Sequence, residues 1–297
     1  MNFENQPPGP EMSSPPKTLD ALRREIDRID DAIHDLVTRR LDLVAGMGAL
    51  KGDGPAIRPA REAMLLRRLA ARHRGRLPNS VLVRVWRELF AAGTALQGTF
   101  AIAVCAPETK PGEAAALWDL ARDQYGCQTP IETYADACRV VRAVQDGAAS
   151  VGVLPSPRDG EPDPWWPRLT DQGEGAPRIV ARLPFAARGN ARGGDIDALA
   201  IACVEPEPTG EDRALVVVTA AGELSRAALD GALGRVGLTV GALLGRVEAD
   251  AGRLYLFEVD QFLGPGDGRL AAMREALAPV VTSAVSIGAY AAPMGEP

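Results

Sequence analysis

A seam of apolar residues dominates the first part of the chain. Between residues 19 and 50, apolar side chains recur at alternating steps of three and four. This spacing predicts one long amphipathic helix with a coiled-coil seam. Its members are Leu19, Leu22, Ile26, Ile29, Ile33, Leu36, Leu43, Met47 and Leu50. Such a helix is roughly 48 Å long, which exceeds a small domain, so we expect the seam to pack against a second chain.

Two shorter helices are predicted before residue 98. One begins at Arg58-Pro59, because proline suits a first helical turn. Its arginine-rich end suits the negative end of the helix dipole and is expected to be a solvated face, formed by Arg67, Arg68, Arg72 and Arg74. The next helix has an apolar face containing Trp86, Gly93 and Gln97. Residues 18–98 are therefore expected to be all-helical, and the proline-rich residues 1–17 to be a disordered tail.

The remainder of the chain has the pattern of sheet proteins. Residues 99–204 contain the β-rich runs FAIAVCA, ASVGVLP, RIVARLPF and ALAIACV between helical stretches, which predicts an α/β lobe. Residues 205–297 read strand, helix, strand, strand, helix, strand, a βαββαβ ferredoxin-like order. We predict a multidomain chain divided at residues 18–98, 99–204 and 205–297.

Composition argues against nucleic acid, a membrane or a metal ion as a partner of this chain. The net charge is −6 and the sequence pI is about 5.2, so no general basic field exists to attract nucleic acid. No run of 18 apolar residues predicts a membrane span. The four cysteines form no C-x-x-C pair and there are two histidines, so no metal or other cofactor is expected and the location is expected to be cytoplasmic.

Arg40 stands where the seam calls for an apolar residue. A buried guanidinium costs several kcal/mol unless it is paired, so it requires a buried acid or an anionic ligand. Arg23 and Lys51 lie near the same face. Arg23 is about 25 Å from Arg40 along the helix, and a small dianion cannot bridge both within one chain. If both serve one site, Arg23 must come from the partner subunit; the alternative is a plain dimerisation helix.

The segments LDALRREIDRIDDAIHDLVTRR, the lysine of GALK, RPAREA and WRELFAAGTALQ resemble the helical chorismate mutases. Those proteins are three-helix subunits that dimerise through a long shared helix. The resemblance implies that Arg23 crosses into the partner's site and that Arg40 grips a substrate carboxylate. It also implies that Lys51 donates a hydrogen bond to the ether oxygen of chorismate. The C–O bond to this oxygen breaks when prephenate forms.

The same resemblance assigns roles on the other two helices. Arg61 and Glu62 match the pair that opens the second helix, with Glu62 meeting the substrate hydroxyl. Gln97 matches the second donor to the ether oxygen. Two positions depart from the pattern, since Arg58 replaces an acidic residue of some members and Gly93 replaces a serine.

The two later blocks resemble the bifunctional chorismate mutase–prephenate dehydratases, which end in an amino-acid-sensing ACT domain. The likeness lies in IAVCAP, YADACRVVRAVQDGAASVGVLPSP and RLYLFEVDQF, and it implies an ACT-like block with an amino-acid effector. The dehydratase's Thr-Arg-Phe motif has no counterpart at residues 197–201, which read DALAI. We therefore expect a lobe without dehydratase activity.

The sequence thus favours a homodimeric chorismate mutase of aromatic amino acid biosynthesis. One alternative is a bifunctional enzyme that also dehydrates prephenate to phenylpyruvate. The other is a non-catalytic dimeric regulatory protein.

Overall fold

A computed structural model of the chain describes residues 18–51, 56–171, 173–250 and 252–295. The side chains of residues 49–51 lie outside the described set, and so does the predicted tail at residues 1–17. Within the described ranges, no helix is both long and apolar enough to cross a membrane.

The first block is all-helical, as predicted. Its helices are α1 (Leu19–Lys51), α2 (Pro59–Arg72) and α3 (Asn79–Ala95). Helix α2 begins at the proline that marked it in the sequence. The described seam residues of α1 are exposed in the single chain, from 43% at Leu22 to 67% at Leu43. This apolar face is therefore uncovered by the rest of the subunit.

Five strands and two helices form the predicted α/β lobe. They are β1 (Ile102–Cys105), α4 (Pro111–Tyr125), β2 (Ile131–Tyr134), α5 (Ala137–Gln145), β3 (Val151–Pro155), β4 (Arg178–Leu183) and β5 (Ala198–Ala202). Strand β1 pairs in parallel with β2 and β3, and β5 runs antiparallel to β3 and β4. Strand β2 was not predicted, because it is a four-residue edge strand with no fully buried side chain to mark it.

The last block has the predicted order of elements. It consists of β6 (Asp212–Ala220), α6 (Arg226–Arg235), β7 (Val240–Ala249), β8 (Gly252–Val259), α7 (Gly268–Ala276) and β9 (Val281–Ala291). Its strands lie in the order β9-β6-β8-β7 and all pair antiparallel. One face of these strands buries a separate apolar cluster that includes Leu229, Phe257 and Met273.

The two strand sets form one nine-stranded sheet, because β4 pairs in parallel with β9. The contact is made at Ile179 and Gly288, where the two backbones approach closely. Gly288 has φ of 145°, and a Cβ atom there would overlap the backbone of Ile179. Glycine is therefore required at this junction. The domain division at residue 204 stays a prediction, since the sheet continues across it.

The helical block docks on the sheet block through a shared apolar cluster. Ala63, Leu66, Val83 and Phe90 pack there with residues of the later blocks. Arg67 corrects the expectation of a solvated arginine face. Its guanidinium donates to Thr209 Oγ1 at 2.9 Å, to the Glu211 carbonyl at 2.8 Å and to the Ala292 carbonyl at 2.7 Å. Helix α2 is thus bonded to the two segments that flank β6 and β9.

Candidate active site

A cavity of about 290 Å³ lies among α1, α2 and α3. Four of the six residues singled out in the sequence line it: Arg40, Arg61, Glu62 and Gln97. They come from α1, from the first turn of α2 and from the turn that follows α3, and the first and last are 57 positions apart in the chain. Tertiary packing therefore places these predicted residues around one partly open cavity.

Arg40 is held at the cavity wall by neighbours on α3. Its Nη1 donates to the Leu89 carbonyl at 3.3 Å, and its guanidinium carbon lies 5.6 Å from the centre of the Phe90 ring. Burial lowers the pKa of Arg40, and the nearby carboxylate of Glu62 offsets part of that effect. Arginine remains charged under such shifts, so the cavity keeps a fixed cation.

Glu62 forms a buried ion pair with Arg87. The Arg87 Nη1 donates to Glu62 Oε2 at 2.8 Å; the Arg87 side chain is 4% exposed and that of Glu62 is 20% exposed. Burial raises the pKa of Glu62, while Arg87 and then Arg40 act against that rise. A buried carboxylate is stable in the charged form only with such a partner. One Glu62 oxygen is thereby held in place beside the cavity.

Sequence reasoning missed Arg87, although a signal for it exists. Val83, Arg87 and Phe90 follow a spacing of four and three, which places the three on one helix face. All three are buried in the structure, whereas Trp86, which the sequence reading put on the apolar face, is only partly buried. The buried face of α3 includes the expected Gly93 but is broader than expected, and its extension contains Arg87.

Gln97 follows the end of α3 and lies beside Gly48 of α1. Its Nε2 donates to the Gly93 carbonyl at 3.0 Å. The approach of α1 to α3 and Gln97 depends on small residues, since a Cβ atom on Gly48 would be 3.2 Å from Gln97 Cγ, and one on Gly93 would be 3.1 Å from Val44 Cγ1. An amide nitrogen carries two hydrogens, so Gln97 retains one donor after this bond.

The other two predicted residues are Arg23, which lies outside the cavity of its own chain, and Lys51, whose side chain is outside the described residues. The Arg23 side chain is 66% exposed and pairs with Asp20 on α1 at 3.4 Å. Arg23 lies too far from Arg40 along α1 to reach the cavity of its own chain. The backbone of Lys51 ends α1.

The cavity carries excess positive charge. Arg58 at its edge is neutralised by Glu207, which accepts from Nη2 at 2.8 Å. Among the described residues, neither Arg40 nor Arg61 has a carboxylate within ion-pair distance, while Glu62 is held by Arg87. Two cations therefore lack a full counterion, which suits a small ligand with more than one negative group.

Comparison with known proteins gives a family match for the helical block and partial matches to named relatives. Residues 22–98, within the helical block, match the protein family described as chorismate mutase type II. The chain is also similar to proteins named bifunctional chorismate mutase/prephenate dehydratase. One from Pseudomonas aeruginosa is 31% identical over 144 residues, and one from Neisseria gonorrhoeae is 33% identical over 105.

These matches are partial. The Pseudomonas aeruginosa match covers 46% of this chain and 38% of the relative, and the Neisseria gonorrhoeae match covers 34% and 29%. This chain therefore spans less than two fifths of the relatives' length. Among solved structures, a prephenate dehydratase from Arthrobacter aurescens aligns with 65% of this chain and 90% of its own, at 14% identity and a TM-score of 0.45.

The buried pair is open to a direct test. Arg87→Met should lower the free energy of unfolding by about 3–5 kcal/mol, because Glu62 is left as an uncompensated buried carboxylate. Adding Glu62→Leu should restore most of the loss, as measured by urea unfolding at neutral pH. The control is Arg84→Met on the same helix, whose pair with Asp123 is more exposed and contributes at most about 1 kcal/mol. Equal losses from the two arginine variants would contradict the assignment.

Proposed function

We propose that this protein is a chorismate mutase that converts chorismate to prephenate in aromatic amino acid biosynthesis. The reaction is an intramolecular rearrangement in which one C–O ether bond breaks as one C–C bond forms. It needs no nucleophile and no proton transfer. The observation that carries the proposal is the single cavity that gathers Arg40, Arg61, Glu62 and Gln97 with excess positive charge.

Each side chain has a chemical role in this proposal. Arg40 and Arg61 bind the substrate carboxylates, because a guanidinium fork matches a carboxylate. Glu62, oriented by Arg87, accepts a hydrogen bond from the substrate hydroxyl. Binding the dianion in a compact conformer brings the reacting carbons together. Fixed donors then stabilise the charge that grows on the ether oxygen, a role we assign to Gln97 and to Lys51.

We propose that the working unit is a homodimer paired through α1. The exposed apolar seam of α1 supports this. Apolar side chains from Leu19 to Met47 are exposed in the single chain, and an exposed apolar patch of this kind favours packing against a second copy of the chain. Pairing also gives Arg23, which is too far from Arg40 within one chain, a cavity in which it can act. A second α1 alongside the first brings the partner's Arg23 toward this subunit's cavity, where it adds a third cation.

The sheet blocks are proposed to lack dehydratase activity. In place of the threonine motif, residues 198–202 form β5, a strand of fully buried alanine, leucine and isoleucine with no hydroxyl to offer. The second candidate, a bifunctional enzyme, is favoured by the names of the curated relatives. We also propose that the βαββαβ block is ACT-like and has an amino-acid effector, on the basis of its order of elements.

The function is tested with the purified full chain and chorismate. We expect loss of chorismate absorbance, with prephenate as the product identified after acid and alkali treatment. Phenylpyruvate formed without acid treatment would support the bifunctional candidate. A dimer that leaves chorismate unchanged would refute the mutase proposal and favour a regulatory protein.

The role of Gln97 predicts a change of pH dependence. Gln97 does not titrate, so wild-type turnover should need no acidic medium. Gln97→Glu donates to the ether oxygen only when protonated, so kcat/KM of the variant should fall as the pH rises through the pKa of the new carboxyl group. Unfolding by urea at each pH controls for stability. A variant whose pH profile equals that of the wild type would remove Gln97 from the site.

The shared site predicts complementation between two inactive variants. Arg23→Ala and Arg40→Ala should each lose at least about a hundredfold in kcat/KM, while Arg39→Ala, on the exposed face beside Arg40, should retain activity. Unfolding the two inactive variants together and refolding them should restore roughly a quarter of the wild-type activity, because half of the dimers then have one intact site. No recovery in mixed dimers would mean that Arg23 does not act across the interface.

A further inference from the structure

Phe185 of the α/β lobe touches the helical block at the ion pair beside the cavity. It follows β4 and is 5% exposed. The centre of its ring lies 5.2 Å from the guanidinium carbon of Arg87 and 6.0 Å from that of Arg67. One aromatic ring thus contacts two cations, one on α3 and one on α2. Contact with a ring face stabilises a guanidinium, more so when water is excluded.

The apolar core of the helical block is incomplete without this residue. The cluster formed by Ala63, Leu66, Val83 and Phe90 includes Phe185 and Ala291 as fully packed members, with Met294 at its margin. The backbone is tied as well, since the Met294 N–H donates to the Phe185 carbonyl at 2.7 Å. The lobe and the end of the last strand therefore supply part of the wall against which α2 and α3 pack.

We infer that Phe185 is a positioning residue of the mutase cavity, acting through Arg87 on Glu62. The inference rests on the proposed function, because it assigns Glu62 a role in binding the substrate hydroxyl. It gives the dehydratase-like lobe a task in the mutase reaction. The lobe supplies the apolar surface of Phe185, which excludes water from Arg87 and holds the ion pair of Arg87 and Glu62 in one geometry.

The choice of an aromatic residue follows from what Arg87 requires. Its Nη1 is committed to Glu62, and the rest of the guanidinium must leave water. A carboxylate or carbonyl in place of Phe185 would compete with Glu62 for the same donors. A ring covers the cation without offering a competing lone pair. Phe185 therefore leaves Glu62 as the strongest acceptor available to Arg87.

The charged groups around Glu62 influence its pKa, so a change at Phe185 should be visible in the pH dependence of activity. Arg87 faces it from α3, Arg40 from α1 and the Tyr125 hydroxyl from α4. Burial is the largest influence and raises the pKa of Glu62. Opening the wall at Phe185 admits water, which favours the charged carboxylate and brings its pKa down toward the ordinary value.

The test compares Phe185→Leu with Phe257→Leu in the full chain. Phe257 is equally buried but belongs to a separate apolar cluster, whose members do not line the cavity. We expect Phe185→Leu to raise KM for chorismate about tenfold with kcat changed less than about twofold, since substrate binding by Glu62 is weakened rather than the ether-oxygen donors. Phe257→Leu should change neither constant.

Two further readouts separate positioning from general destabilisation. The acid limb of the kcat/KM profile should move to lower pH in Phe185→Leu and stay in place in Phe257→Leu. Amide hydrogen exchange of residues 62–72 in α2 should accelerate in Phe185→Leu alone. Unchanged KM, acid limb and exchange in Phe185→Leu would overturn the inference. If the wild type has no mutase activity, the proposed function fails, and exchange in α2 still decides whether Phe185 holds that helix.

Discussion

The buried pair of Glu62 and Arg87 is the interaction on which the arrangement of the helical block depends. It joins α2 to α3 at the wall of the cavity, and burial makes each charge dependent on the other. A charge out of water without its partner is costly enough to reorganise its surroundings. The pair therefore restricts how α2 can sit on α3, and the covering ring of Phe185 extends that restriction into the sheet block.

Charge at the cavity follows from the same pairing. Because Arg87 neutralises Glu62, the positive charge of Arg40 is not cancelled by the nearest carboxylate. Arg40 is instead held by a carbonyl and a ring face, which orient a guanidinium while leaving donors available to a ligand. A site of this kind offers prearranged cations and amide donors to an anionic ligand.

Periodicity was sufficient to predict most elements, and the exceptions are instructive. The helices α1 to α3 have a clear period, and eight of the nine strands in the described part of the chain are apolar or β-rich runs. Strand β2 is short, lies at the sheet edge and contains polar residues. Arg40 and Gln97 could be found because each is a polar residue on an apolar face. Arg87 follows the same rule, but the predicted apolar face of α3 was too narrow to include it. Arg67 was misread because its partners lie more than 140 residues later.

The sequence by itself determined the local structure, the chemical types available to the site and the uncovered seam of α1, because these depend on neighbours within a few turns of helix or strand. Tertiary structure alone decided that one sheet runs through both later blocks, that Gly288 admits the junction and that Phe185 covers Arg87. These features join residues from distant parts of the chain, whose relation no local period encodes. Their physical basis is close packing, which exists only after the chain has folded.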